Sequence, residues 1–272
     1  MTDDLSYQSL DFNLSQTKHL YGEQVHILNS PYLRTILNKI CSNDITQPLF
    51  TEYVKKAYSF LLHEAASHFF ESEITESPTR MQEFHEQGIY KGVSLKQDSK
   101  VVVVDLARAG MIPSQMIYEE LNYLFDYKNI RQDHFYAARK TNELNEVIGV
   151  DISGSKIGGP VDDSFVIFPD PMGATGGTIS EAINFYKKQV PGKAKKFISI
   201  HLIITPEYIS RIKADHPDCE IYAVRLDRGL STKKALQSIA GTYPDEEAGL
   251  NANQYIVPGA GGIGELLNNA FV

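Results

Sequence analysis

The chain has 272 residues, 42% hydrophobic and 22% charged, which is the composition of an ordinary globular protein and not of a disordered one. Its net charge of −8 argues against a general surface for nucleic acid or membrane, although it is compatible with a local basic pocket for a phosphorylated small molecule. No apolar run approaches the ~18 residues of a membrane span, the acidic N-terminus does not resemble a secretory signal, and Cys41 and Cys219 show no metal or disulfide spacing, so we expect a cytoplasmic protein.

The N-terminal part of the chain has no regular pattern. Residues 1–30 are predicted to be mostly irregular. We place a boundary after residue 25, so that 1–25 form an N-terminal arm and 26–272 a single domain.

A helical pattern follows this arm. Between Thr46 and Phe70 apolar residues recur at the spacing of a helix. We interpret His63 and His68 in this helix as surface or packing residues and not as metal ligands, because a spacing of five does not place both on one face. Residues 71–100 are polar and are predicted to form a loop that leads into a short strand or hairpin.

Five apolar segments are then predicted as strands, and helical patterns lie between most of them. The first is an unbroken β-branched run, which is typical of a strand buried on both faces of a parallel sheet. Alternating strands and helices predict an α/β fold with a mainly parallel sheet, whose ligands bind beyond the carboxyl ends of the strands. The predicted strands are 101–106, 134–138, 164–170, 197–204 and 220–226.

The loop after the third of these strands carries the strongest functional signal. The strand ends in Asp170, and the small residues of 173–178 then open a helix. Small residues let backbone N–H groups point at one anion, and the positive end of the helix dipole adds to this attraction. The loop lacks the Lys and the spacing of a Walker motif, so it predicts a phosphate site without nucleoside triphosphate hydrolysis. The alternative is a plain strand-to-helix turn with Thr178 as the helix cap.

A second glycine-rich stretch lies near the C-terminus. Gly259, Gly261 and Gly264 match the dinucleotide-binding pattern G-x-G-x-x-G. Only eight residues follow Gly264, which leaves no room for the crossover helix and second strand of that motif. We therefore reject the dinucleotide interpretation.

The stretch from Asp170 to Thr178 resembles the phosphoribosyl pyrophosphate (PRPP) motif of uracil phosphoribosyltransferases. The likeness extends in order from about His26 to the C-terminus. The other matching segments are the Arg108-Ala109-Gly110 loop, Arg139 in YAARKTNE, HPDCEIYAVRLDRGLS and YIVPGAGG.

This resemblance implies a type I phosphoribosyltransferase-like fold, with a twisted, mainly parallel sheet flanked by helices, an N-terminal helical arm and a C-terminal base-binding loop. It implies that Asp170, Arg108 and Arg139 are catalytic, and that Mg²⁺ is bound through the pyrophosphate of PRPP with no dedicated protein ligands. The implied PRPP-binding residues are Arg108, Arg139, Asp170, Pro171, Met172, Gly173, Ala174, Thr175, Gly176, Gly177 and Thr178. The implied base-binding residues are Ile256, Gly261, Gly262 and Ile263.

Four departures from the family pattern concern the base half of the site. The family carries an acidic residue where this chain has Gly262, and the following Asp and Arg are Glu265 and Leu266 here. An arginine expected near ICSNDIT is replaced by Cys41 or Ser42. The PRPP half therefore matches the family more closely than the base half.

The leading hypothesis is an enzyme of pyrimidine salvage that makes UMP and pyrophosphate from uracil and PRPP. One alternative is a catalytically weak homologue that senses PRPP or a nucleotide, and another is a transferase for a different nucleobase. The resemblance also implies a homodimer or a higher homo-oligomer.

Overall fold

The computed structural model of the protein describes residues 4–141 and 147–270, with the side chains of 137–141 and 147–151 excepted. These residues contain ten β-strands and seven α-helices. The strands are β1 (Val25–Ile27), β2 (Ser72–Pro78), β3 (Ile89–Leu95), β4 (Lys100–Ala107), β5 (Ile130–Thr141), β6 (Val147–Lys156), β7 (Ser164–Pro169), β8 (Met172–Gly173), β9 (Lys196–Ile204) and β10 (Cys219–Leu226). The helices are α1 (Pro31–Ile40), α2 (Leu49–Phe69), α3 (Met111–Leu124), α4 (Gly177–Gln189), α5 (Pro206–Asp215), α6 (Lys233–Leu236) and α7 (Ile263–Asn268).

The main sheet has the strand order β1-β10-β9-β7-β4-β5-β6, and β8 pairs with the end of β9. Every pairing in it is parallel except that of β5 with β6. The mainly parallel α/β fold predicted from the sequence is confirmed, and the five predicted strands correspond to β4, β5, β7, β9 and β10. No helix in the described part of the chain is both long and apolar enough to cross a bilayer.

Helices cover both faces of this sheet, so alternate residues of each central strand enter different cores. Val101 and Val103 of β4 belong to one core with α1, α2 and α3, whereas Val102 and Val104 belong to the other with α4 and α5. All four valines are at most 1% exposed. Burial of each such side chain stabilises the fold by about 1.5–3 kcal/mol, which explains why this strand is apolar on both faces.

The predicted helix between Thr46 and Phe70 is α2, and its apolar stripe is buried. Residues 71–100 form the predicted hairpin, in which β2 pairs antiparallel with β3.

Six of the strands and helices in the described residues were not predicted. Helix α1 follows the arm, β6 pairs antiparallel with β5, and β1 lies at the edge of the main sheet, where Val25 pairs with Ile221. The other three are the short elements β8, α6 and α7. The described part of residues 1–30 is mostly irregular, as expected, but the boundary placed after residue 25 falls inside β1. A three-residue edge strand is too short to show a period of its own, and only its partner β10 defines it.

The order of the strands reverses direction at β4. The chain continues from β4 to β5 on one side, whereas β7 lies on the other side. Loops that leave adjacent parallel strands in opposite directions open a crevice at the carboxyl edge of the sheet, which is where ligands bind in such folds. The loops that begin with Arg108 and with Asp170 border this crevice.

Candidate active site

The loop after β7 is held at both ends. Its first residues form β8 and pair in parallel with the end of β9. The Thr205 hydroxyl donates to the carbonyl oxygen of Ala174 at 2.6 Å, and the Thr205 amide donates to that of Gly173 at 3.1 Å. A Cβ atom on Gly173 would lie 2.9 Å from the Ile204 side chain and 3.1 Å from the Tyr208 ring, so only glycine fits this close packing.

The same loop presents the uncapped N-terminus of α4. Gly176 is the N-cap residue and has φ +78°, a left-handed conformation that favours glycine. The N-cap residue offers no side-chain cap, and only the Thr175 hydroxyl accepts a long hydrogen bond, of 3.4 Å, from the Gly177 amide. Thr178 lies inside the helix, so the expectation that it is the cap is wrong. The first N–H groups of a helix have no partner within the helix, and these therefore face the crevice as donors for an anion.

Asp170 lies between β7 and β8 and is half-buried. Its Oδ1 accepts a hydrogen bond from the Met172 amide at 2.9 Å, which orients the carboxylate within the loop. Its carbonyl oxygen is 2.6 Å from Nδ1 of the buried His201.

The tautomer of His201 follows from these contacts. Burial lowers the pKa of His201 to about 3, so the ring is neutral at pH 7. Because a carbonyl can only accept, Nδ1 of His201 carries the proton, and Nε2 accepts from the Tyr208 hydroxyl at 2.7 Å. A neutral buried imidazole thus fixes the backbone of Asp170.

Arg108 follows β4 directly and is exposed, and its Nη1 donates to the carbonyl oxygen of Ala270 at 3.0 Å. A Cβ atom on Gly110 would lie 3.0 Å from the carbonyl oxygen of Pro169, so the loops after β4 and β7 touch each other. Arg139 lies in β5 opposite Val150 of β6, and its side chain lies outside the described residues.

The C-terminal glycine loop is held by an ion pair on β10. Arg225 and the buried Asp227 are 2.6 Å apart. The Gly259 amide donates to Asp227 Oδ2 at 2.7 Å, and the Gly259 carbonyl accepts from Arg225 Nη2 at 3.1 Å. The side chains of Ile256 and Ile263 are 8% and 1% exposed and pack in the core, so this loop presents backbone to the crevice.

The arginine expected near position 41 has a counterpart on another element. Nη1 of Arg225 lies 3.6 Å from Sγ of Cys41, so β10 brings a guanidinium to the place where helix α1 ends. Sequence reasoning missed both Arg225 and Asp227. The signal was present, because residues two apart on a strand share one face.

The acidic residue expected at position 262 also has a counterpart. A Cβ atom on Gly262 would lie 2.3 Å from Oε2 of Glu265, so the Glu265 carboxylate occupies the space of a side chain at 262. A Cβ atom on Gly264 would lie 3.2 Å from Cβ of Ala109, which joins this loop to the loop of Arg108. The three predicted loops therefore meet at one crevice, whereas the position of the Arg139 guanidinium relative to it stays a prediction.

Comparison with known proteins places these loops in a family context. The family model "Uracil phosphoribosyltransferase" matches residues 27–245. A uracil phosphoribosyltransferase of Thermosipho melanesiensis is 27% identical over 90% of this chain and 98% of its own length. One of Campylobacter jejuni is 27% identical over 91% of this chain and 99% of its own length. A solved Aquifex aeolicus protein aligns with a TM-score of 0.67 at 23% identity over 91% of this chain and 99% of its own, which shows a shared fold.

Proposed function

The chain belongs to the uracil phosphoribosyltransferase family, and on this basis we propose that it transfers the 5-phosphoribosyl group of PRPP to uracil, giving UMP and pyrophosphate. The observation that carries the proposal is the loop from Asp170 to Thr178, which lies inside the family match and ends in an uncapped helix N-terminus.

The loop supports binding of the 5′-phosphate of PRPP. The N–H groups at the start of α4 and the hydroxyls of Thr175 and Thr178 are donors of the kind a phosphate accepts from. Because Thr205 and β8 fix the loop before any ligand binds, little ordering entropy is lost on binding.

Asp170 supports the chemical step. The bond between the ribose carbon and the pyrophosphate oxygen breaks as a uracil nitrogen bonds to that carbon, and this nitrogen loses its proton. Positive charge develops on the ribose, and a carboxylate held beside it stabilises the transition state more than the ground state. In this proposal the Asp170 carboxylate has this role, and His201 holds its backbone in place.

Arg108 and Arg139 are proposed to bind the departing pyrophosphate, since a guanidinium can donate two parallel hydrogen bonds to phosphate oxygens. Mg²⁺ would be held by the pyrophosphate oxygens of PRPP and by water, without dedicated protein ligands, as is common for this cation. When bound with PRPP, the cation neutralises charge on the leaving pyrophosphate.

The base half of the site supports turnover over a role as a PRPP-binding regulator. The departures that motivated the regulator are Gly262 and Leu266, and at the first of these the Glu265 carboxylate occupies the space of a side chain at 262. Arg225 also brings a guanidinium beside Cys41, near the place where an arginine is missing. Family membership favours uracil over another base.

The test is an assay of the purified chain with PRPP, Mg²⁺ and a panel of nucleobases, with mass spectrometry of the products. We expect UMP from uracil, and we expect Asp170→Asn to lose most of the activity while the exposed control Asp98→Asn keeps it. Another nucleoside monophosphate would change the substrate but not the mechanism. No product from folded protein, with PRPP still bound, would favour the regulator.

We further propose that the enzyme acts in the cytoplasm as a homodimer or higher homo-oligomer, as the family resemblance implies. Light scattering on the purified protein measures the oligomeric state directly. A mass of one chain at assay concentrations would contradict the proposed oligomer.

A further inference from the structure

A cluster of two histidines and one glutamate lies away from the crevice. It consists of His26 on β1, His68 near the end of α2 and Glu220 at the start of β10. One ring nitrogen of each histidine and one carboxylate oxygen of Glu220 lie within 4.8 Å of one another. The cluster is near the amino end of β10, whereas the loops of the crevice leave the carboxyl ends of the strands.

The register of the sheet and the length of α2 create this cluster. His26 lies opposite Tyr222, and the two rings stack with centroids 4.5 Å apart. Glu220 is two residues before Tyr222 and so shares its face of the sheet. His68 reaches the same place from α2, where its Nδ1 is 2.8 Å from the Tyr222 hydroxyl and its ring centroid is 4.7 Å from that of His26.

His26 is arranged as a neutral nitrogen donor. Its Nδ1 is 3.1 Å from the amide oxygen of Gln16, which can only accept, so Nδ1 carries the proton in the neutral ring. Nε2 is then unprotonated and lies 3.8 Å from Oε2 of Glu220. Burial, together with the charge of the neighbouring His68, lowers the pKa of His26 to about 4, so the ring is uncharged at pH 7.

Glu220 is arranged as an anionic oxygen donor. Burial acts to raise its pKa, but hydrogen bonds from Lys196 and Tyr222 outweigh this and hold the pKa below its usual value. Lys196 contacts Oε1, whereas Oε2 accepts a hydrogen bond from the Tyr222 hydroxyl at 2.8 Å and is the carboxylate oxygen nearer to Nε2 of His26, at 3.8 Å. Outer partners of this kind, Gln16 on the imidazole and Lys196 on the carboxylate, are what orients the ligands in natural metal sites.

We propose that His26, His68 and Glu220 form a binding site for a divalent transition metal of the zinc type, with water as the fourth ligand. This revises the sequence-based interpretation of His68, because its partners come from β1 and β10 and not from its own helix. Two imidazoles and one carboxylate are a ligand set that zinc uses in proteins. Ligands about 2.0–2.2 Å from a zinc ion lie roughly 3.5 Å from each other, so the three side chains need to close by only about 1 Å. The exposed His68 is at the solvent side and gives the ion a way in.

The predicted effect is on stability. An ion held by the three residues links the edge strand β1 to β10 and to α2, which are distant in the chain. An ion that binds only the folded protein raises its stability by mass action.

The first experiment titrates the metal-free full chain with Co²⁺, without PRPP, and follows the visible ligand-field absorption that reports tetrahedral coordination. We expect one equivalent per chain, displaced by Zn²⁺, and a higher unfolding temperature with Zn²⁺. His68→Gln should weaken binding at least about 100-fold, since the loss of even an outer partner costs 10–100-fold. The matched control is His63→Gln, an exposed histidine on the same helix that is outside the cluster.

Circular dichroism checks that His68→Gln is folded, and Glu220→Gln is the second variant if it is not. The proposal is overturned if the parent chain shows no tetrahedral Co²⁺ spectrum. It is equally overturned if His68→Gln binds as the parent does, or if His63→Gln loses binding to the same degree.

Discussion

Glu265 provides the sharpest test of the base half of the site. Its carboxylate occupies the space of a side chain at Gly262, where the resemblance to the family implies an acid. A purely structural role is also open to it, because Glu265 is the third residue of α7 and a glutamate at that position caps the helix by reaching back to the N-cap residue. Glu265→Gln separates the two roles, since glutamine also serves in such a cap but carries no charge.

The expected size of the effect follows from the position of Glu265. Removal of one preorganised electrostatic group from an enclosed active site costs about 10²–10³-fold in rate. Glu265 is half-buried, so solvent screens it partly and the lower end applies. We expect Glu265→Gln to lower kcat/KM for uracil by about 100-fold, or ~2.7 kcal/mol, and to change the free energy of unfolding by less than about 0.5 kcal/mol.

The assay measures initial rates of UMP formation and, in parallel, unfolding by denaturant. The exposed Glu86→Gln serves as the control. Gly262→Asp combined with Glu265→Ala, which vacates that space, should recover at least about tenfold of the rate lost in Glu265→Ala alone, because Gly262 has φ −82° and accepts an L-residue without backbone strain. Glu265→Gln with more than about a third of the parent kcat/KM would show that the carboxylate only caps α7.

Three further predictions concern the two loops and the core. Gly176→Ala should lower the free energy of unfolding by about 1–2 kcal/mol and raise KM for PRPP, because alanine strains the left-handed turn at the start of α4. Unchanged values of both quantities would contradict this account. Arg225→Lys should raise KM for uracil roughly tenfold with little change in KM for PRPP, because an ammonium cannot bridge Asp227 and Gly259 as the guanidinium does. Equal effects on both KM values would instead indicate general misfolding. The free energy of unfolding should fall by up to ~1.4 kcal/mol per pH unit as the pH drops from about 6.5 toward 3, because the unfolded chain protonates His201 in this range and the folded one, with a pKa of about 3, does not. His201→Gln should show a shallower slope between pH 6 and 4.5, and equal slopes would refute the assignment.

The central strands and the phosphate loop were predictable because each depends on local chemistry. The valine run of β4 is apolar on both faces since helices cover both, and this leaves an unbroken β-branched segment in the sequence. The loop after Asp170 needs small residues to bring N–H groups to one anion, so its composition indicates its role.

Other features depend on partners distant in the chain. β1 exists because β10 offers it an edge, and β6 exists because β5 pairs with it. Neither segment has a periodicity that would predict its pairing with a neighbouring strand, because β-propensity mostly reflects packing against neighbours.

The amino-acid sequence by itself determined the α/β class and the likeness to uracil phosphoribosyltransferases, and it predicts the phosphate-binding loop, since spacing and composition along the chain carry these. Only the tertiary structure decided that Arg225 lies against Cys41, that Glu265 occupies the place of a side chain at Gly262, and that His68 meets His26 and Glu220. In each case the contact joins positions whose proximity no pattern in the sequence indicates. What a site requires is a group at a point in space, and only the packing of helices on the sheet specifies which residue brings it there.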